Sequence, residues 1–228
     1  MDPHAEKYYS ISPYAYCMNN PVKYIDPDGR KIRGFYIDNQ GTVHYNKRAT
    51  EDAVFIAKAM MRTDAGNTAL ENLVTAKYPV TLNIQKGKSK MDRGLLGHTD
   101  THINININKS KSSTGKIVIT KEIRKVDITL YKEKLQEMVD NYRGMANGTK
   151  EMKGPDDLDL LYKQLVPSLE DMFTTVATHE GTHGSKKGAN DNFVSTEKAE
   201  QSAESAEKKS INQLIIEKNE NDKKDKNN

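Results

Sequence analysis

The sequence predicts an α+β domain: a small, twisted, mainly antiparallel sheet packed against two C-terminal helices. Three patterns carry that prediction. Residues 102–108 read HINININ, the period-two alternation of a half-buried strand with isoleucine inward. Residues 117–131 are rich in β-branched side chains, as one bent strand or a hairpin requires. Leu169, Met172, Phe173 and Val176 recur at i, i+3, i+4 and i+7, the apolar stripe of a packed helix.

The remaining elements follow in order. Residues 34–45 alternate around Asp38-Asn39-Gln40-Gly41, which predicts a hairpin. Thr50 opens a helical run through Ala53, Val54, Ile56, Ala57, Ala59, Met60 and Met61. Leu70, Leu73 and Val74 mark a second, short helix, and residues 80–84 a strand. Residues 86–97 are basic and glycine-rich, the composition of a mobile loop. Leu135 and Met138 carry the chain into a helix, and residues 147–157 form a loop containing Gly148, Gly154 and Pro155. Ser168 follows Pro167 and stands three positions before Asp171, a capping box that starts the next helix. Gly184 is placed to stop it. A further helix is predicted for residues 196–216. Residues 217–228 contain no apolar side chain and are expected to be a disordered polar tail.

Composition narrows the function classes. The 228 residues carry 35 Lys plus Arg against 32 Asp plus Glu, a net charge of +3, so charge makes no case for nucleic-acid binding. Cys17 is the single cysteine, which excludes an intrachain disulfide and a thiolate zinc cluster. No run approaches 18 apolar residues, so no membrane span is expected. The first ten residues lack the basic and apolar parts of a signal peptide, so export would use a route independent of one.

Chemistry concentrates at His179-Glu180-Gly181-Thr182-His183. On a helix, positions i and i+4 lie about 40° apart around the axis and one turn apart along it. His179 and His183 therefore project from one face and can hold one metal ion. Glu180 leaves the helix beside them, where it can reach a metal-bound water and remove its proton, the arrangement of a metalloprotease. The histidines continue the apolar stripe, and imidazoles there need a polar partner that a metal supplies. Gly181 costs roughly 1 kcal/mol in a helix interior, which tertiary contacts must offset.

A third ligand is required. The pattern HExxHxxGxxH does not continue here, because Lys186 and Ala189 stand at its last two positions. The next helix instead offers Glu197, Glu200, Glu204 and Glu207 on one face, beside a small-residue face of Ala199, Ala203 and Ala206. Spacing alone does not choose among the four. Glu204 or Glu207 can also hold a ligand histidine by its other ring nitrogen. His98 and His102 are four apart on a strand, hence about 13 Å apart, too far to share a metal.

Two resemblances add to this. Residues 1–30 are tyrosine- and proline-rich, with five of the eleven tyrosines and four of the seven prolines. Asp2-Pro3, Ala5-Glu6-Lys7-Tyr8-Tyr9, Ser12-Pro13-Tyr14-Ala15-Tyr16, Asn19-Asn20-Pro21 and Asp26-Pro27-Asp28-Gly29 resemble the closing segment of the Rhs-repeat core of Bacteroidetes-type polymorphic toxins. In that family the segment closes a shell and a variable toxin domain follows. Many members cut themselves after a DPxGL motif. Arg30 and Lys31 follow Gly29 here, a departure from that motif. Residues 31–216 then stand as the toxin domain.

That domain looks like the glutamate-zincin metallopeptidases, whose third ligand often heads an ExxA(D/E) pattern. Glu200-Gln201-Ser202-Ala203-Glu204 matches it. The resemblance implies a zincin-like fold and Zn²⁺ held by His179, His183 and Glu200, with Glu204 and Glu197 as alternates. It implies a peptide substrate added to an edge strand, either residues 102–108 or 117–131, and allows Tyr131 an oxyanion role. By the same likeness the partners are a protein substrate, a cognate immunity protein and the Rhs shell or secretion apparatus, with delivery into a target cell. The competing expectation is a non-catalytic Rhs-associated interaction module with at most a structural metal. That site would be closed by His98 or His102.

Overall fold

A computed structural model of the chain describes residues 32–86, 95–109, 117–151, 156–185, 187–188 and 195–226. The Rhs-like segment and most of the basic loop at 86–97 lie outside the described residues. The architecture is α+β, with two small sheets and six helices among the described residues.

The chain enters through the predicted hairpin, β1 (Phe35–Ile37) and β2 (Val43–Tyr45), paired antiparallel. Asp38 Oδ1 accepts from the backbone N–H groups of Gln40 and Thr42, at 2.9 Å each, and shapes the turn. Helix α1 (Glu51–Met60) begins where Thr50 accepts from the Ala53 N–H at 3.2 Å. Thr63 caps α2 (Asp64–Val74) in the same way, through the Gly66 N–H at 3.1 Å.

The main sheet is mixed, and its antiparallel pairing is the longer one. Strands β3 (Val80–Gln85), β4 (Gly97–Lys109) and β5 (Ile117–Tyr131) lie in the order β3-β5-β4. β4 runs antiparallel to β5, but β3 runs parallel to it, so the sheet is mixed. The apolar pattern specifies which face of a strand is inward; it carries no information about strand direction. Residues 117–131 form one strand, not a hairpin. Its register against β4 shifts between His102 and Ile103, where Arg124 is the extra residue, a bulge that bends it.

The inward placement of the isoleucines holds only near the sheet. Ile103 is half-buried, whereas Ile105 is 55% exposed. β3 pairs with residues 126–131 of β5 alone, so the β4–β5 ribbon runs past the three-stranded part.

Helix α3 (Lys132–Ala146) follows β5 directly. Helix α4 (Asp157–Leu165) occupies residues for which the sequence pattern predicts no element. Asp156 caps it, and it ends at Val166, whose φ of 47° is left-handed, just before Pro167. Helix α5 (Leu169–Gly184) has the predicted capping box, with reciprocal bonds between Ser168 and Asp171. α5 is the centre of the molecule, packed by α1, α2, α3, β4, β5 and the last helix. Thr174 and Thr178, fully buried, return their hydroxyls to the carbonyls of Glu170 and Thr174.

Gly184 ends α5 without a left-handed turn; Ser185 continues in extended conformation. Its value is clearance. A Cβ there would stand 3.0 Å from Ile128 Cδ1 and 3.1 Å from Leu73 Cδ2, so glycine lets the helix end lie on the sheet. Gly181 faces Met60 Cε, the flexible end of that side chain, at 2.7 Å from an ideal Cβ position, and Ala69 Cβ and Leu73 Cδ1 at 3.5 Å.

Helix α6 (Thr196–Lys226) runs ten residues past the predicted boundary and includes most of the expected disordered tail. Residues 216–225 are exposed, so no apolar pattern announces them. Extending a formed helix needs no new nucleus, and Lys218 Nζ donates to the Leu165 carbonyl at 2.8 Å, tying α6 to the end of α4. No helix among the described residues is long and apolar enough to cross a membrane.

Candidate metal centre

The last turns of α5 lie between β4 and α6, and that placement assembles the site. His179 and His183 point from one face of α5, with Nε2 atoms 3.1 Å apart. α6 approaches closely because Ala199 and Ala203 are fully buried at the contact. Glu200, between them, reaches across: its Oε1 stands 3.3 Å from His179 Nε2 and its Oε2 3.3 Å from His183 Nε2. Ligand atoms bound at about 2.0–2.1 Å around one tetrahedral ion stand about 3.3–3.4 Å from each other. The Nε2–Nε2 separation of 3.1 Å is a little under that edge, and the two 3.3 Å separations end on different oxygens of Glu200, so the three groups surround a space of ligand-sphere size. His179, His183 and Glu200 can therefore hold a metal ion. In the metal-free chain a proton on one ring nitrogen, shared with the neighbouring ring or the Glu200 carboxylate, satisfies the same three groups.

Behind His179, the Glu207 carboxylate accepts from Nδ1 at 2.8 Å. This fixes the ring orientation and leaves Nε2 aimed at the centre. Glu207 is buried and also accepts from the Tyr162 hydroxyl at 2.5 Å. Burial, then the charge and hydrogen bond of Glu207, hold Tyr162 well above the usual phenol range, so it stays a donor. Burial opposes charge on His179, but the hydrogen bond and charge of Glu207, with Glu180 and Glu200, outweigh it and raise its pKa to about 9. His183 is lowered, first by burial and then by the neighbouring His179 charge.

Glu180 turns toward β4, still within electrostatic reach of His179 and Glu200. It is 8% exposed, and Thr99 Oγ1 stands 2.6 Å from its Oε2 and 2.9 Å from its own backbone oxygen. Burial pushes the Glu180 carboxyl up, against the Thr99 hydrogen bond and the charges of His179 and His98. Room for Glu180 comes from Gly97: a Cβ there would stand 2.8 Å from Glu180 Cγ and 2.9 Å from Leu130 Cδ2.

The structure thus brings together His179, His183 and Glu200 and sets Glu180 beside them. Glu197 is exposed in the first turn of α6, and Glu204 faces Lys208 at 4.0 Å, so neither alternate joins the cluster. His102 is bonded to Asp127 at 3.0 Å, and neither it nor His98 is among the grouped ligands. Tyr131 is buried at the end of β5. Thr99, Gly97, Tyr162 and Thr175 carry no motif in sequence. Their roles arise from contacts between elements distant in the chain. No protein family, curated protein or solved structure matches this chain.

Proposed function

We propose that the chain carries a zinc-dependent endopeptidase of zincin-like fold, forming the toxin or effector end of an Rhs-type protein. The observation that carries this reading is the convergence of His179, His183 and Glu200 on one point, with Glu180 buried beside it. Two imidazoles and a carboxylate are a donor set suited to zinc. When bound, zinc would act as a Lewis acid and lower the pKa of water.

The remaining chemistry falls to the chain. Glu180 takes the proton of the attacking water and delivers it to the leaving nitrogen. Its desolvation raises its basicity, and Thr99 holds one carboxylate oxygen in place. β4 is the sheet edge beside α5, whereas β5 is central, so β4 is the strand available to pair with a peptide backbone. Glu200 is 49% exposed, which opens the cluster to solvent on the α6 side. A closed structural site would need a fourth protein ligand. His98 and His102 are not among the grouped ligands, which favours the catalytic reading over that alternative. The toxin assignment, with its protein target, immunity partner and signal-peptide-independent delivery, rests on the likeness of residues 1–30 to the Rhs core.

Metal content of the purified full chain tests the reading, with His179→Ala and Glu180→Gln beside it. One zinc per chain is expected in the parent and in Glu180→Gln, and none in His179→Ala. Cleavage of a protein panel is expected in the parent alone. A metal-free parent after zinc reconstitution, or full hydrolysis by Glu180→Gln, would sink the proposal.

A further inference from the structure

One buried chain of hydrogen bonds behind the metal centre has no counterpart in the motif. Tyr162 lies on α4, the helix that the sequence pattern does not predict, and is 2% exposed. Its hydroxyl stands 2.5 Å from Glu207 Oε1 and 2.6 Å from Thr175 Oγ1. A phenol has one proton, and an ionised carboxylate can only accept. Tyr162 therefore donates to Glu207, and the Thr175 hydroxyl, which also faces the Met172 carbonyl at 3.3 Å, sits against the Tyr162 oxygen. Glu207 Oε2 accepts in turn from His179 Nδ1 at 2.8 Å. Thr175 and His179 are one turn apart on α5, so the sequence of bonds leaves α5, crosses α4 and α6, and returns to α5.

We propose that Tyr162 is a positioning residue for the metal centre: through Glu207 it sets the direction of the His179 ring, and with it the affinity for a divalent ion. The inference rests on the metal-binding reading above. A buried carboxylate with one donor can swing about that bond; with a donor on each oxygen it cannot, and the imidazole it holds is fixed too. The tyrosine is itself held. Its ring stacks on Tyr142, with centroids 5.1 Å apart, and Tyr142 donates to Asp159 at 2.7 Å. Packing thus places the hydroxyl without any help from the metal.

The test removes the hydroxyl and keeps the ring. Tyr162→Phe and Thr175→Val are compared with the parent full chain and with Glu207→Gln. Zinc affinity is measured by chelator competition, and thermal unfolding follows the metal-free proteins. ¹H–¹⁵N spectroscopy of the metal-free chains observes the hydrogen-bonded Nδ1–H of His179. Outer partners of metal-bound histidines typically contribute 10–100-fold in affinity. Tyr162→Phe is expected to weaken zinc binding about tenfold, less than Glu207→Gln, and to lose the sharp low-field Nδ1–H signal. Thr175→Val is expected to shift both in the same direction by a smaller amount. Zinc affinity within twofold of the parent and an unchanged Nδ1–H signal would overturn the proposal, as would a lowered melting temperature with unaltered affinity. If the parent itself binds no zinc, the metal reading fails. The Nδ1–H signal of Tyr162→Phe then decides the positioning role alone, and retention of that signal overturns it.

Discussion

Thr99, on the edge strand, donates its hydroxyl to a buried carboxylate on the central helix: its Oγ1 lies 2.6 Å from Glu180 Oε2, 81 positions away in sequence. That bond couples the strand proposed to hold a peptide to the group proposed to activate water. Thr99→Val is expected to leave the Glu180 carboxylate short of a donor, at about 1–3 kcal/mol. The sign with pH is fixed. A carboxyl whose folded pKa lies above its unfolded value adds stability below the unfolded value and loses it as pH rises through the folded one. The variant raises that pKa further, so its cost is larger at pH 7 than at pH 5. Urea unfolding at the two pH values reads it, and Thr99→Ser should restore the parent. Equal costs at both would show that the hydroxyl does not act on the charged form.

Gly97 is the second device on that strand. An added methyl would lie 2.8 Å from Glu180 Cγ and 3.0 Å from its Oε1. Gly97→Ala is expected to displace the Glu180 side chain, lower stability by about 1–3 kcal/mol, and leave zinc content intact. Hydrolysis of any cleavable panel substrate should fall at least tenfold. An alanine variant as stable and as active as the parent would show that Glu180 needs no such clearance.

The choice of third ligand is open to direct measurement. Glu200→Gln is expected to weaken zinc binding at least a hundredfold, because a neutral amide replaces a charged ligand 3.3 Å from both ring nitrogens. Glu197→Gln and Glu204→Gln should stay within about twofold, as neither side chain reaches the cluster. Chelator competition ranks the three. A larger loss in either of the last two would reassign the ligand.

Metal affinity should also climb with pH. His179 binds metal only without its Nε2 proton, and in the metal-free protein it keeps a proton up to about pH 9. One proton is released per ion bound, so apparent zinc affinity is expected to rise about tenfold per pH unit from 7 to near 9. The metal-free chain moves oppositely. A histidine with a raised folded pKa adds stability that is complete below its unfolded pKa of 6.5 and is lost as pH rises through about 9. The rise in melting temperature produced by zinc should therefore grow over this range. A zinc effect flat from pH 7 to 9 would show that His179 carries no competing proton.

Local signals were legible wherever neighbours in sequence are neighbours in space. The Ser168–Asp171 capping box, the Thr50 cap and the turn at Asp38 read directly, because each is closed by bonds spanning two to four residues. The two histidines of α5 read for the same reason. Glu200 was reached only through a resemblance, since four glutamates share its helix face and their spacing is silent on distance to another helix. Helix α6 outran its apolar pattern at Ile216, because its last turns are solvated and need no buried face.

By itself, then, the sequence determined the α+β class, the helix bearing His179, Glu180 and His183, and the small-residue face on which α6 approaches it. Periodicity and capping are local, and they survive without knowledge of the fold. Tertiary structure alone decided that β3 runs parallel to β5, that Glu200 rather than Glu197 or Glu204 faces the histidines, and that Tyr162 stands behind Glu207. It also decided that Gly97 and Thr99 frame Glu180. Each of these depends on the relative placement of residues 17 to 83 positions apart, from His183 and Glu200 to Gly97 and Glu180, which burial and close packing of whole helices and strands settle together.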